Sequence, residues 1–119
     1  MASRNVDNGI KYLFDAFNEH DAQKCSAGYS QDVRFTSGRG DVVGKDNVAA
    51  MFAGLFERNP NVQAKIENVI DGGNMVVYEF RILNSGDPER DKVMHCDVVG
   101  FNDAGEIISE DNYSNVVHD

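Results

Sequence analysis

The sequence predicts one α+β domain in which three amphipathic helices cover one face of a curved four-stranded antiparallel sheet. Three observations carry this. Apolar residues in the first half recur at three- and four-residue intervals, those after Val62 tend to alternate, and Gly- and Asn-rich turns punctuate the second half. Helices segregated from strands indicate α+β rather than a parallel α/β sheet, and 119 residues suit a single core. No repeat, low-complexity stretch or linker divides residues 1–119.

Taken in order, Val6, Ile10, Leu13, Phe14 and Phe17 form the apolar face of a first helix over about residues 5–18, with Asn5 or Asp7 as its expected cap. Asn18-Glu19-His20 is a turn, and Asp21 caps a short second helix that ends near Tyr29. Val33 and Phe35 alternate with Arg34 and Thr36, an early strand before the loop Ser37-Gly38-Arg39-Gly40. Gly44 and Asp46 open a third helix with the stripe Val48, Met51, Phe52, Leu55 and Phe56, and Asn59-Pro60 stops it. Strands follow at 62–70, 75–83, 92–101 and 106–117. Asp71-Gly72-Gly73-Asn74 is the strongest hairpin signal among their turns. In the second of these strands Val76, Tyr78, Phe80 and Ile82 share a face, and short loops favour antiparallel neighbours.

Formal charge is −9, from 11 basic and 20 acidic side chains. Such a surface repels phosphate backbones and anionic lipid, so neither nucleic acid nor membrane is an expected partner. No apolar run reaches the ~18 residues of a membrane span, and Met1 to Asp7 carry no signal-peptide core. Cys25 and Cys96 lie far apart, with neither CxxC nor cysteine–histidine ligand spacing. The expectation is a cytoplasmic protein with reduced thiols and no zinc or redox site. Walker, HExxH and Gly-x-Ser-x-Gly patterns are absent from the sequence.

Four segments resemble the nuclear transport factor 2-like superfamily, in its SnoaL-like and ketosteroid isomerase-like branch. They are Phe17-Asn18-Glu19-His20-Asp21, Tyr29-Ser30-Gln31-Asp32-Val33-Arg34-Phe35, Gly44-Lys45-Asp46-Asn47-Val48, and the hairpin from Asp97 to Ile107. Their order and spacing, over nearly the whole chain, are specific for the fold and not for one reaction. The resemblance implies a cone-shaped, cystatin-like architecture whose sheet wraps the first helix around an internal apolar pocket. It also implies a homodimer through the outer sheet face and a cofactor-free chemistry with no bound metal.

Asp97 is the leading candidate for that chemistry. Val93, His95, Asp97 and Val99 share one strand face, which would set a carboxyl and an imidazole side by side in an apolar site. A buried carboxyl has a raised pKa and can stay protonated as a donor. In the ketosteroid isomerases, the position similar to Asp97 is an oxyanion-hole acid, a case long used to illustrate this logic. Three positions depart from the family's reactive groups. Leu13 stands at the oxyanion-hole tyrosine, Ser37 at the catalytic base, and Asn112 near the aspartate of SnoaL-like cyclases and limonene epoxide hydrolase-like enzymes. Glu110 shares a face with Asn112 and is the candidate replacement carboxylate. Together Asp97 and Glu110 would split into an acid and a base.

The alternatives are a solvent- or interface-facing Asp97 and His95, and a Glu110 on an acidic outer edge. Tyr29 is placed to bind a substrate oxygen or to fill the core. Phe17, Phe35, Phe52, Phe56, Tyr78 and Phe80 are candidate lining residues that also read as core. His20 and His118 are expected at the solvated surface. The expected function is acid–base catalysis of isomerisation, cyclisation, dehydration or epoxide opening on a mostly apolar carbonyl-containing ligand. A non-catalytic small-molecule binder or dimeric interaction domain is the alternative, and a nuclear transport adaptor is the weaker third reading.

Overall fold

The computed structural model describes residues 3–114. Helix α1 is continuous from Arg4–Gly9, through a π-helical Ile10–Asp15, to Ala16–Asn18. Its cap is Ser3, whose hydroxyl accepts from the Val6 N–H at 3.2 Å. Asn5 and Asp7 are therefore already helical, and the Asn5 amide instead donates to the Gly73 carbonyl at 2.9 Å. In the widened turn the Ala16 N–H reaches back to the Lys11 carbonyl. Tyr12 packs against Gly28, where a Cβ would stand 2.4 Å from the ring, while Leu13 and Phe14 are buried in the core. Helix α2 (Ala22–Ala27) begins at Asp21, which accepts from the Lys24 N–H at 3.0 Å. Helix α3 (Lys45–Arg58) carries Asp46 in its first turn and Arg58 in its last, both favourable to the helix dipole.

Six strands form one sheet: β1 (Tyr29–Ser37), β2 (Gly40–Val43), β3 (Gln63–Asp71), β4 (Met75–Leu83), β5 (Met94–Phe101) and β6 (Ile107–Ser114). Their spatial order is β2-β1-β6-β5-β4-β3. The meander β3 to β6 follows the expected turns, but the sheet has six strands rather than four, and it is not wholly antiparallel. Ser37 pairs with Gly40, so the expected loop is a hairpin turn leading into β2. Strand β1 lies parallel to β6. Turn residues announce antiparallel neighbours, whereas a parallel pair needs a long crossover, here supplied by α3 and the intervening strands. The end of the expected 106–117 strand and His118 lie outside the described residues.

The helices fill the concave face with aromatic side chains. Phe14 lies 5.2 Å from both Tyr78 and Phe80, ring centre to ring centre, and Phe17 meets Phe56 at 5.2 Å and Phe52 at 6.2 Å. The Tyr78 hydroxyl donates to the Val6 carbonyl at 2.9 Å, which ties β4 to α1. At the other end of α1 the Asn18 amide pairs with both backbone groups of Ala64, donating at 3.0 Å and accepting at 2.7 Å. This covers part of the β3 edge. His20 is half-buried rather than solvated. Its positive φ of 56° ends the helix, its ring stacks on Phe56 at 4.8 Å, and its Nε2 lies 2.6 Å from the Val62 carbonyl oxygen.

Gly9 permits the α1–β4 tie, since a Cβ there would stand 1.8 Å from the Tyr78 oxygen. Gly9→Ala should therefore destabilise the fold by about 1–3 kcal/mol, the usual range for overpacking. Urea denaturation measures it, and an unchanged midpoint would mean that Tyr78 is free to move aside.

Candidate active site

Strand alternation places His95, Asp97 and Val99 on the concave face and Met94, Cys96 and Val98 on the other. Val93 lies just before the strand, in extended conformation. Asp97 stands opposite Asn112 on β6 and Tyr78 on β4, and Val99 stands opposite Glu110. On the other side of β6, Glu110 is paired with Phe35 of β1. The two carboxyls thus sit on neighbouring rungs of adjacent strands, and they are only 4% and 3% exposed.

A short hydrogen-bond chain holds them. The Tyr29 hydroxyl donates to Glu110 Oε1 at 2.6 Å, and the Asn112 amide donates to Asp97 Oδ1 at 2.6 Å. Asp97 and Glu110 interact directly, and a hydrogen bond between two carboxyls requires that one of them be protonated. Burial raises both carboxyls above their ordinary range, because neither ion is hydrated there. Glu110 rises further: after burial, the charge of Asp97 and the bond to it keep the proton on, while the Tyr29 donation opposes them. For Asp97 the bonds from Glu110 and Asn112 partly offset burial. Both carboxyls thus favour the protonated form more than a free carboxyl does, Glu110 more strongly than Asp97.

The charge of Asp111 also raises Glu110, whereas Tyr29, Cys25 and His95 are neutral. Burial and then the charge of Glu110 raise the Tyr29 phenol, and burial with the nearby Glu110 charge pushes the Cys25 thiol up to about 12. His95 is lowered by burial and by Arg90, so its imidazole is neutral at pH 7. Cys25 and Cys96 are both free thiols.

The predicted residues separate into a packed interior and a rim. Leu13, Phe17, Phe52, Phe56 and Phe80 belong to the core, and Tyr29 stacks on Phe52 at 6.4 Å. The Tyr78 hydroxyl is committed to α1. Phe35, Ser37, His95 and Asn112 are half-buried on the same concave side. Ser37 accepts from the Arg39 N–H at 3.3 Å. Cys25 was expected only as a reduced thiol; no local signal marks its interaction with Glu110.

At the level of Asp97 and Glu110 the concave face is filled by side chains. One concavity lies between α1 and α2, lined by Lys11, Tyr12, Ala16 and Ala27 among others. Another is on the outer sheet face, lined by Met94, Cys96, Tyr113 and Ser114. Neither includes the carboxyl pair. Among the described residues, no group of three or more His, Cys, Asp or Glu side chains is arranged to hold a metal, and no helix is long and apolar enough to cross a membrane.

This architecture defines an α+β cystatin-like fold of the nuclear transport factor 2-like class. Residues 10–110 match the SnoaL-like domain, and the chain belongs to that family. No curated protein matches it. Among solved structures, a SnoaL-like protein from Burkholderia thailandensis E264 superposes with a TM-score of 0.82 at 14% identity, over 98% of this chain and 99% of that one. A cystatin-fold protein from Novosphingobium aromaticivorans gives 0.80 at 20% identity, over 94% and 99%. A proposed SnoaL-like polyketide cyclase from Jannaschia sp. CCS1 gives 0.77 at 21% identity, over 94% and 85%. At these identities the likeness is one of fold.

The raised pKa of Glu110 has a measurable consequence. A raised native pKa gives stability that is complete below the unfolded value, 4.5 for Glu110, and lost as pH rises toward the native value. Glu110→Gln mimics the protonated acid and should gain on wild type above that pH, by up to about 1.4 kcal/mol per pH unit. Denaturant titrations from pH 4 to about 8 measure this. A constant difference between the two proteins would show that Glu110 is ionised in the fold.

Proposed function

We propose that this protein is a cofactor-free acid–base enzyme acting on a mostly apolar carbonyl, enol or epoxide compound. The observation that supports this is the Asp97–Glu110 carboxyl pair, buried side by side on the concave face of a SnoaL-like domain with both pKa values raised. A pair with one proton offers a base and an acid at the same pH, which proton transfer to and from a substrate requires. Asp97 is the substrate-facing member, because its neighbour Asn112 is half-buried at the rim whereas Glu110 has Tyr29 bonded behind it. Glu110 stores the proton, and Asn112 holds the Asp97 carboxylate in place.

Substrate entry requires half-buried rim side chains such as Phe35, which pairs with Glu110, to part, which also leaves the reacting atoms in a dry site. Isomerisation, cyclisation, dehydration and epoxide opening share this proton chemistry. Steroid isomerisation by the family's known route lacks support, since Ser37 cannot abstract a carbon-bound proton unaided.

The test begins with a thermal-shift screen of enones, epoxides and polyketide-like aromatics. Carbonyl hits are then followed by NMR for exchange of the proton next to the carbonyl into deuterated water. Asp97→Asn should slow exchange about 100-fold or more. Equal exchange by wild type and Asp97→Asn would remove Asp97 from the chemistry.

The same reading includes a homodimer through the outer sheet face. Ile70, Val77 and Val98 form one apolar rung across three strands there, and Met75 and Tyr113 are also exposed. Light scattering should give twice the chain mass of 13.2 kDa, and Val98→Lys should return it to the monomer. A wild-type monomer at micromolar concentration would exclude this assembly.

A further inference from the structure

The helices are held to the sheet by different means. Helix α1 is fastened by polar ties at both ends. Arg4, Asn5 and Asn8 donate to the carbonyls of Asp103, Gly73 and Gly105, the Tyr78 hydroxyl donates to Val6, and Asn18 pairs with Ala64. Helix α3 lacks such ties among the described residues. Its side-chain bond to another element is that of Asn47 to the Val43 carbonyl at 2.9 Å, just before its first turn. Beyond that point the helix is held by Val48, Phe52 and Phe56, all buried and all apolar. Apolar packing is non-directional, so an element held by it alone opens at lower cost than one held by packing and hydrogen bonds together.

Phe52 is the centre of that packing. Its ring lies parallel to Tyr29 at 6.4 Å with 5° between planes, stacks on Phe56 at 6.2 Å, and meets Phe17 and Phe35 edge-on at 6.2 and 6.3 Å. Tyr29 and Phe35 are the β1 side chains at Glu110, one through its hydroxyl and the other as its cross-strand neighbour. Phe52 therefore seals the β1 side of the carboxyl pair with a flat ring. A pivot stands at the start of its helix. Gly44 has a φ of 95°, and its N–H donates to the Val33 carbonyl at 2.8 Å, which fixes that end to β1 while the helix beyond it is free of polar ties.

We infer that α3 is the gate to the enclosed carboxyl pair, swinging about Gly44, and that a flat aromatic ring of the substrate takes the place of the Phe52 ring against Tyr29 and Phe35. The space that Phe52 vacates is one ring wide and walled by aromatic faces and edges, which suits an arene better than a saturated ring of the same size. The substrate class is thus an aromatic compound rather than an aliphatic ketone or epoxide. This assignment rests on the reading of Asp97 and Glu110 as the acid–base centre, and it makes Phe52 a gating residue that takes no part in the proton transfer.

Amide hydrogen exchange of the whole protein, followed by NMR, tests the gate. A detached helix of 14 residues is marginal in water, so each opening exposes its amides. The α3 amides should share a protection factor between about 10 and 1,000, set by a minor open state, with the α1 amides about 100-fold or more above them. Protection of α3 equal to that of α1 would overturn the gate. Titration with phenol and with cyclohexanol, of similar size but not flat, tests the occupant. Phe52→Ala should bind phenol about 10-fold or more tighter than wild type, because the ligand no longer displaces a ring that is in place most of the time. Cyclohexanol should bind the variant more weakly than phenol. Phe52→Leu is a milder change to the core and should give the same order if the alanine variant does not fold. Equal phenol affinity in wild type and variant, or no preference for phenol over cyclohexanol, would overturn the assignment of the ring. Failure of the acid–base reading is seen separately, as proton exchange in wild type no faster than in Asp97→Asn while α3 opening and phenol binding stay as described.

Discussion

Strand β6 is paired on both sides, antiparallel to β5 and parallel to β1, and the candidate site depends on that double pairing. The β5 ladder sets Asn112 opposite Asp97 and brings Glu110 one rung along from it. The β1 ladder brings Phe35 beside Glu110, and Tyr29, at the start of the same strand, reaches the carboxyl with its hydroxyl. Without the parallel pairing, Glu110 would be a buried acid on a sheet edge with no donor behind it. With it, two carboxyls share a dry face on which burial, and for Glu110 the neighbouring charge of Asp97, make ionisation more costly.

That dryness is the work of the helices. Helix α1 lies across the concave face, fixed at one end by the Tyr78–Val6 bond beside Gly9 and at the other by Asn18 on Ala64. Phe14 and Phe17 from α1 and Phe52 and Phe56 from α3 occupy the volume that a wider cone would leave open. The same packing that stabilises the domain therefore raises Asp97 and Glu110, so core and chemistry cannot be separated by mutation as cleanly as in a site carried on loops. The half-buried rim, where Phe35, Ser37, His95 and Asn112 lie, is the part of the site with room to vary.

Much of the site was legible in the sequence because strand alternation is a local property. The faces of residues 75–83 and 94–101, and so the inward direction of Asp97 and His95, follow from period-two spacing. Glu110 and Asn112 were likewise assigned to one face. What was not legible was the use of Tyr29 and Tyr78. Each is aromatic and inward, equally compatible with a ligand or with core, and the partner that decides the matter is 81 residues away for Tyr29 and 72 for Tyr78. His20 failed as a surface prediction for a related reason, since its ring direction depends on a left-handed turn and on where α3 packs.

The sequence by itself determined the α+β class, the three helices, the meander and the inward residues of its strands. Each of these arises from periodicity, caps and turns within a few neighbouring residues. Only the tertiary structure decided that the sheet has six strands, that β1 runs parallel to β6, and that Asp97 and Glu110 are buried together with raised pKa values. Those outcomes depend on contacts between distant segments and on the exclusion of water from the space they enclose. No local pattern encodes either one.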